Sequence, residues 1–202
     1  LSQGTANDKK EALEIFTDLS NFPVLKTQAL WHCAEIAAAT GEEDRLKNIL
    51  NTIIKAHEAE TQEIARATYE LAQSHIRSGE IEKATALLAS LKQRFPSTEY
   101  AKGSNYYLGQ MALNRATKAD GVDTEELNSA VQYFRDYLKS STGGRFSGEV
   151  ADKLSAMGGL TTSAATDANK ALRFPITADD LDLLGQVYFK RGDYSRALSY
   201  WQ

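Results

Sequence analysis

Cysteine occurs once in the 202 residues, at Cys33, so neither an internal disulfide nor a thiolate-rich metal cluster is available. A lone cysteine is compatible with the cytoplasm and with the periplasm alike. Histidine is equally sparse: His32, His57 and His75 stand without a second ligand at metal spacing. His32 and Cys33 are adjacent and point in different directions on a helix. His75 reads as a packed histidine and Cys33 as a small buried hydrophobe. No apolar run approaches the roughly 20 residues that cross a bilayer, so no direct membrane span is expected. With 23 basic and 27 acidic residues the formal net charge is -4, which leaves no strong field to draw nucleic acid.

Proline is limited to three positions, and each follows phenylalanine: Phe22-Pro23, Phe95-Pro96 and Phe174-Pro175. Proline bars the preceding residue from helical geometry, so these pairs read as helix ends. Between them lie amphipathic segments separated by glycine. The stretch from Tyr69 to Pro96 is the clearest. Leu71, Ala72 and His75 share a face on one helix, Gly79 ends it, and Ala84, Leu88 and Leu91 continue at spacings of four and three. An earlier unit spans Thr27 to His57 with its turn at Gly41, Trp31, Ala34 and Ala37 before the turn and Leu46, Leu50 and Ile53 after it. Ahead of it, Asp8 caps a helix whose expected face is Ala12, Ile15, Phe16 and Leu19.

A third unit pairs Tyr107, Leu108 and Gly109 with Ala130, Phe134 and Tyr137, around an insertion near Asp120 to Asp123. A fourth, rich in glycine, offers Val150, Ala151 and Leu154, then a turn at Gly158 and only Ala168, Ala171 and Leu172 to bury. The fifth opens with Thr177 as cap and Asp180 in support. Units begin near residues 27, 65, 102, 144 and 178.

The segments YELAQSHIRSGEIEKATALLASLKQRFP and LDLLGQVYFKRGDYSRALSYW resemble the tetratricopeptide repeat family. In the second, Leu181, Leu184, Gly185, Tyr188, Gly192, Tyr194, Ala197 and Trp201 carry the likeness. The resemblance implies an all-α fold over residues 1–202: one right-handed superhelix, or α-solenoid, of about five antiparallel helix-turn-helix repeats, with first helices lining a concave groove. A chain that opens on leucine and stops within a helix is expected to be a fragment of a longer protein. Its open last repeat is then a place for a homo-oligomer contact.

On each first helix, the residue two or three places before the small packing residue gives Trp31, Tyr69, Tyr106 and Asp182. One turn further, on the same face, stand Glu35, Gln73, Gln110 and Gln186. If these positions face the groove as they do in the family, rings beside amides suit an extended peptide or a partner protein. The other reading is that the rings pack against neighbouring repeats. A carboxylate clamp needs lysine, asparagine and arginine at these positions, and this chain lacks them.

No catalytic, cofactor or metal residues are identified. Gly143-Gly144 and Gly158-Gly159 lack the lysine and hydroxyl residue of a phosphate loop, and Glu42-Glu43-Asp44 reads as a helix start. The expectation is a non-catalytic scaffold for protein–protein interaction. FPSTEYAKGSNYYLGQMA, through Pro96, Tyr100, Ala101, Tyr107, Leu108 and Gly109, is similar to envelope-associated bacterial members, which favours the periplasm or outer membrane and a role in envelope assembly. The alternative is the superhelical arm of a lytic transglycosylase whose catalytic domain lies beyond Gln202.

Overall fold

A computed structural model describes residues 6–21, 26–56, 60–117, 123–158 and 174–202. Among them ten helices and no strands occur. The expectations for Phe22-Pro23, His57, Asp120 and the stretch holding Ala168, Ala171 and Leu172 lie outside the described residues. The chain divides into two compact units, Leu1–Ala101 and Lys102–Gln202.

The first unit holds α1 (Ala6–Leu19), α2 (Lys26–Thr40), α3 (Glu43–Lys55), α4 (Thr61–Arg77) and α5 (Ile81–Arg94). Two hairpins, α2–α3 and α4–α5, share one turn. Gly41 and Gly79 adopt φ of 75° and 74° with open space where a Cβ would sit, so backbone conformation rather than room calls for glycine. In each turn the next residue's N–H reaches back five residues, Glu42 to Ala37 at 2.9 Å and Glu80 to His75 at 2.8 Å, closing the exposed helix end. The apolar faces then meet. Leu46, Leu50 and Ile53 of α3 pack with Trp31, Ala34 and Ala37 of α2 and with Ala67 and Leu71 of α4 in one buried cluster. Leu91 of α5 buries with Ala65 and Ala101. Phe95 leaves helical geometry at φ -133°, as the following proline requires.

Two expectations for this unit change. Asp8 sits in the first turn of α1, which begins at Ala6, and so supports the helix dipole instead of capping it. Ile15 is 54% exposed, because Leu13, with Ala12 and Phe16, supplies the face that meets Cys33 and Ile36.

The boundary with the second unit falls inside α6 (Glu99–Ala116), which is followed by α7 (Thr124–Ser140), α8 (Ser147–Met157), α9 (Ala178–Lys190) and α10 (Tyr194–Trp201). Gly109 faces Phe134, and a Cβ there would stand 2.5 Å from the ring. Only glycine lets α6 and α7 approach this closely. α7 is capped by Asp123, whose Oδ1 accepts from the N–H groups of Glu125 and Glu126. The Arg115 guanidinium grips the Glu126 carboxylate at 2.7 and 2.8 Å near the same turn.

α9 begins as expected, with Thr177 and Asp180 forming a reciprocal cap. Asp180, 2% exposed, also takes two bonds of 2.6 Å from Arg135 of α7. Burial alone would raise the carboxyl's pKa, but the Arg135 guanidinium and the Thr177 bonds outweigh it and hold it low. Gly158 ends α8 without the left-handed conformation of the other turns, at φ -76°. Phe174, buried in the core, donates its N–H to Met157 O at 3.4 Å. Gly192 repeats the hairpin turn, with Asp193 N–H reaching Tyr188 O at 2.9 Å. On this last hairpin Phe189, Tyr194, Leu198 and Trp201 remain exposed.

Candidate functional site

The first-helix positions are occupied in different ways in the two units. In α2, Trp31 is 7% exposed and lies in the apolar cluster, with the Arg66 guanidinium 4.0 Å above its ring centroid. Arg66 is itself tied through Nε to Glu70 at 2.8 Å. Glu35 is exposed, 3.4 Å from His32 Nδ1. In α4, Tyr69 is half-buried against Ala65, Leu91 and Ala101, its ring 5.7 Å from that of Tyr100. Gln73, one turn on, is half-buried.

In the second unit Tyr106 and Gln110 converge on one carboxylate. The Tyr106 hydroxyl donates to Glu149 Oε2 at 2.9 Å, and Gln110 Nε2 donates to Oε1 at 2.8 Å. Lys153 approaches the same carboxylate at 3.5 Å. The Tyr106 ring stacks on Phe146 with centroids 3.9 Å apart and planes within 6°. Burial, and then the Glu149 carboxylate, push the Tyr106 phenol up to about 12. In α9, exposed Asp182 accepts from Gln186 Nε2 at 2.8 Å and from Trp201 Nε1 at 3.2 Å.

The expected pairs therefore do meet within α6 and within α9, each around a carboxylate. Three participants escaped sequence reasoning. Arg66 of α4 lies over Trp31 of α2, 35 residues earlier, with no local signal to link them. Phe146 precedes the start of α8, where an apolar residue often braces a helix entry. Glu149 lies 43 residues from Tyr106, with no local signal to link them.

Of the remaining polar groups, His75 is largely buried, its Nδ1 2.7 Å from Glu80 Oε2. Glu42 occupies the cap position of α3 but makes no capping bond; its carboxylate accepts from Thr40 and Arg45 instead. Cys33 is buried, and burial raises its thiol pKa. Among the described residues no group of three or more metal-ligating side chains gathers, and no helix is long and apolar enough to cross a membrane.

Against known proteins, the tetratricopeptide repeat family model matches residues 66–98, from within α4 through α5 to the turn that follows it. The repeat supports a general role in protein–protein interaction. The crystal structure of BtubC (BKLC) from P. vanneervenii shares the fold, with a TM-score of 0.56 at 12% sequence identity over 98% of this chain and 89% of that one. A search among curated proteins finds no match.

Proposed function

We propose that this chain is a non-catalytic scaffold that takes a peptide or partner protein against the faces of its first helices. The observation that carries the reading is the recurrence of a polar side chain at one helical position. Glu35 and, half-buried, Gln73 and Gln110 each reach the surface one turn beyond a packed ring, and Gln186 does so one turn beyond exposed Asp182. Amides offer both a donor and an acceptor, which is what a partner's backbone needs. The aromatic members serve as support: Trp31 is covered by Arg66, and Tyr106 is stacked on Phe146. Anchored side chains lose little freedom on binding, so the polar groups above them are preorganised. The comparisons lend no support to envelope assembly or to the arm of a lytic transglycosylase, and neither belongs to this reading.

Site-specific photo-crosslinking tests it. A benzoylphenylalanine placed in turn at positions 35 and 73 of the first unit should capture a partner, and one at 110 or 186 of the second unit should do so likewise. The same probe at exposed Gln93 of α5 or Gln132 of α7 should not. Capture at the second-helix positions alone would place the working surface elsewhere.

A further inference from the structure

A chain of net charge -4 carries a basic trough in its first unit. Lys9, Lys10, Leu13, Thr17 and Ser20 recur at spacings of three and four along α1 and its final turn, so they line one face. That face borders two solvent-open cavities against α2 and α3. One, of about 350 Å³, is lined by Lys9, Lys10, Leu13, Ile36, Glu42 and Arg45. The other, of about 190 Å³, is lined by Thr17, Leu30, Cys33 and Ile49, and Arg45 borders it as well. The floor is apolar, since Leu13, Cys33 and Ile36 form one buried cluster.

Three cations meet one acid on the rim, and the Glu42 carboxylate already accepts from Thr40 and Arg45. Asp8, Glu11, Glu14 and Asp18 of α1 do not line either cavity. We propose that this trough binds an acidic peptide segment of a partner protein, its carboxylates on Lys9, Lys10 and Arg45 and an aliphatic side chain over Leu13 and Ile36. Charge complementarity selects the acidic residues, and the floor between the cations selects an aliphatic one. Shape selects a peptide. The face from Lys9 to Ser20 is roughly 16 Å long at helical rise, about the length of five extended residues. A lipid surface would call for cations on an outward face, whereas these flank a depression between helices. The proposal goes beyond the first-helix reading, because neither Trp31 nor Glu35 lines the trough.

The test is fluorescence anisotropy of the full chain with a fluorescein-labelled peptide of repeated Glu-Glu-Leu. Binding should weaken about tenfold or more in Lys9→Glu/Lys10→Glu, where attraction becomes like-charge repulsion. Circular dichroism of that variant should be unchanged, since Lys9 is half-buried and Lys10 exposed. A Glu-Glu-Ser peptide should bind more weakly, and Gln132→Ala, exposed on α7, should leave the affinity unaltered. The proposal is overturned by absence of binding, by equal binding to the charge-reversed variant, or by equal binding of the serine peptide. Binding to phosphatidylglycerol vesicles without binding to the peptide would overturn it too.

Discussion

The two units solve one problem, holding helices side by side, with different chemistry. In Leu1–Ala101 the ties between hairpins rest on carboxylates that keep about a third of their surface in water. Glu43 of α3 accepts from Ser74 and Arg77 of α4, and Lys47 of α3 donates to Glu80 at the start of α5. In Lys102–Gln202 the tie between α7 and α9 is an ion pair with one member almost wholly buried, Asp180 with Arg135. Regular hairpins with tight glycine turns hold their register by apolar packing, so the carboxylates of their ion pairs can stay partly in water. Between α7 and α9, which are not neighbours in sequence, a buried and directional bond adds to the apolar packing. It also makes that contact vulnerable to losing one partner.

The sharpest way to break the comparison is to remove one acid from each unit. Asp180→Ala leaves the Arg135 guanidinium, 22% exposed, without its partner and should cost roughly 3–5 kcal/mol in urea denaturation. Glu43→Ala removes a carboxylate that is 34% exposed and should cost about 1 kcal/mol or less. Equal losses would mean that burial is not what separates the two ties.

Glycine gives a second contrast. Gly109→Ala drives a methyl group into the Phe134 ring and should cost roughly 1–3 kcal/mol, with much of the loss recovered in a Gly109→Ala/Phe134→Leu pair. Gly79→Ala meets no atom within 4 Å and should cost only the left-handed backbone, about 1–2 kcal/mol, with no recovery from any core change.

The smallest effect is a matter of pH. Lys47, then Lys83 and His75, hold the Glu80 carboxyl down from 4.5 to about 2. A depressed carboxyl stabilises the fold above its unfolded value of 4.5 and loses that contribution as pH falls through about 2. Acid denaturation of Glu80→Gln should therefore flatten between those limits, and at neutral pH the variant should lose that contribution, reduced by solvent screening because Glu80 keeps 32% of its side chain exposed.

The hairpins were legible because their information is local. A glycine at a turn, small residues at spacings of three and four, and a phenylalanine-proline stop are each decided within a few residues. Thr177 with Asp180 was legible for the same reason. Ile15 misled because period alone admits two neighbouring faces of α1, and only contact with Cys33 and Ile36 chooses between them. At the candidate site, position was readable and environment was not. Trp31 lies beneath an arginine from the next hairpin, and Tyr106 with Gln110 is claimed by a glutamate 39 residues and more away. Such partners are set by stacking of repeats, which leaves no trace in any one helix.

The bond from Phe174 to Met157, with Phe174 seated in the core, has a bearing on how α9 is held. It ties the last residue of α8 to a core residue four positions before α9. The Phe174 side chain thus works as an anchor: while it is seated, the approach to α9 stays pinned to α8 and the Thr177–Asp180 cap is delivered to Arg135.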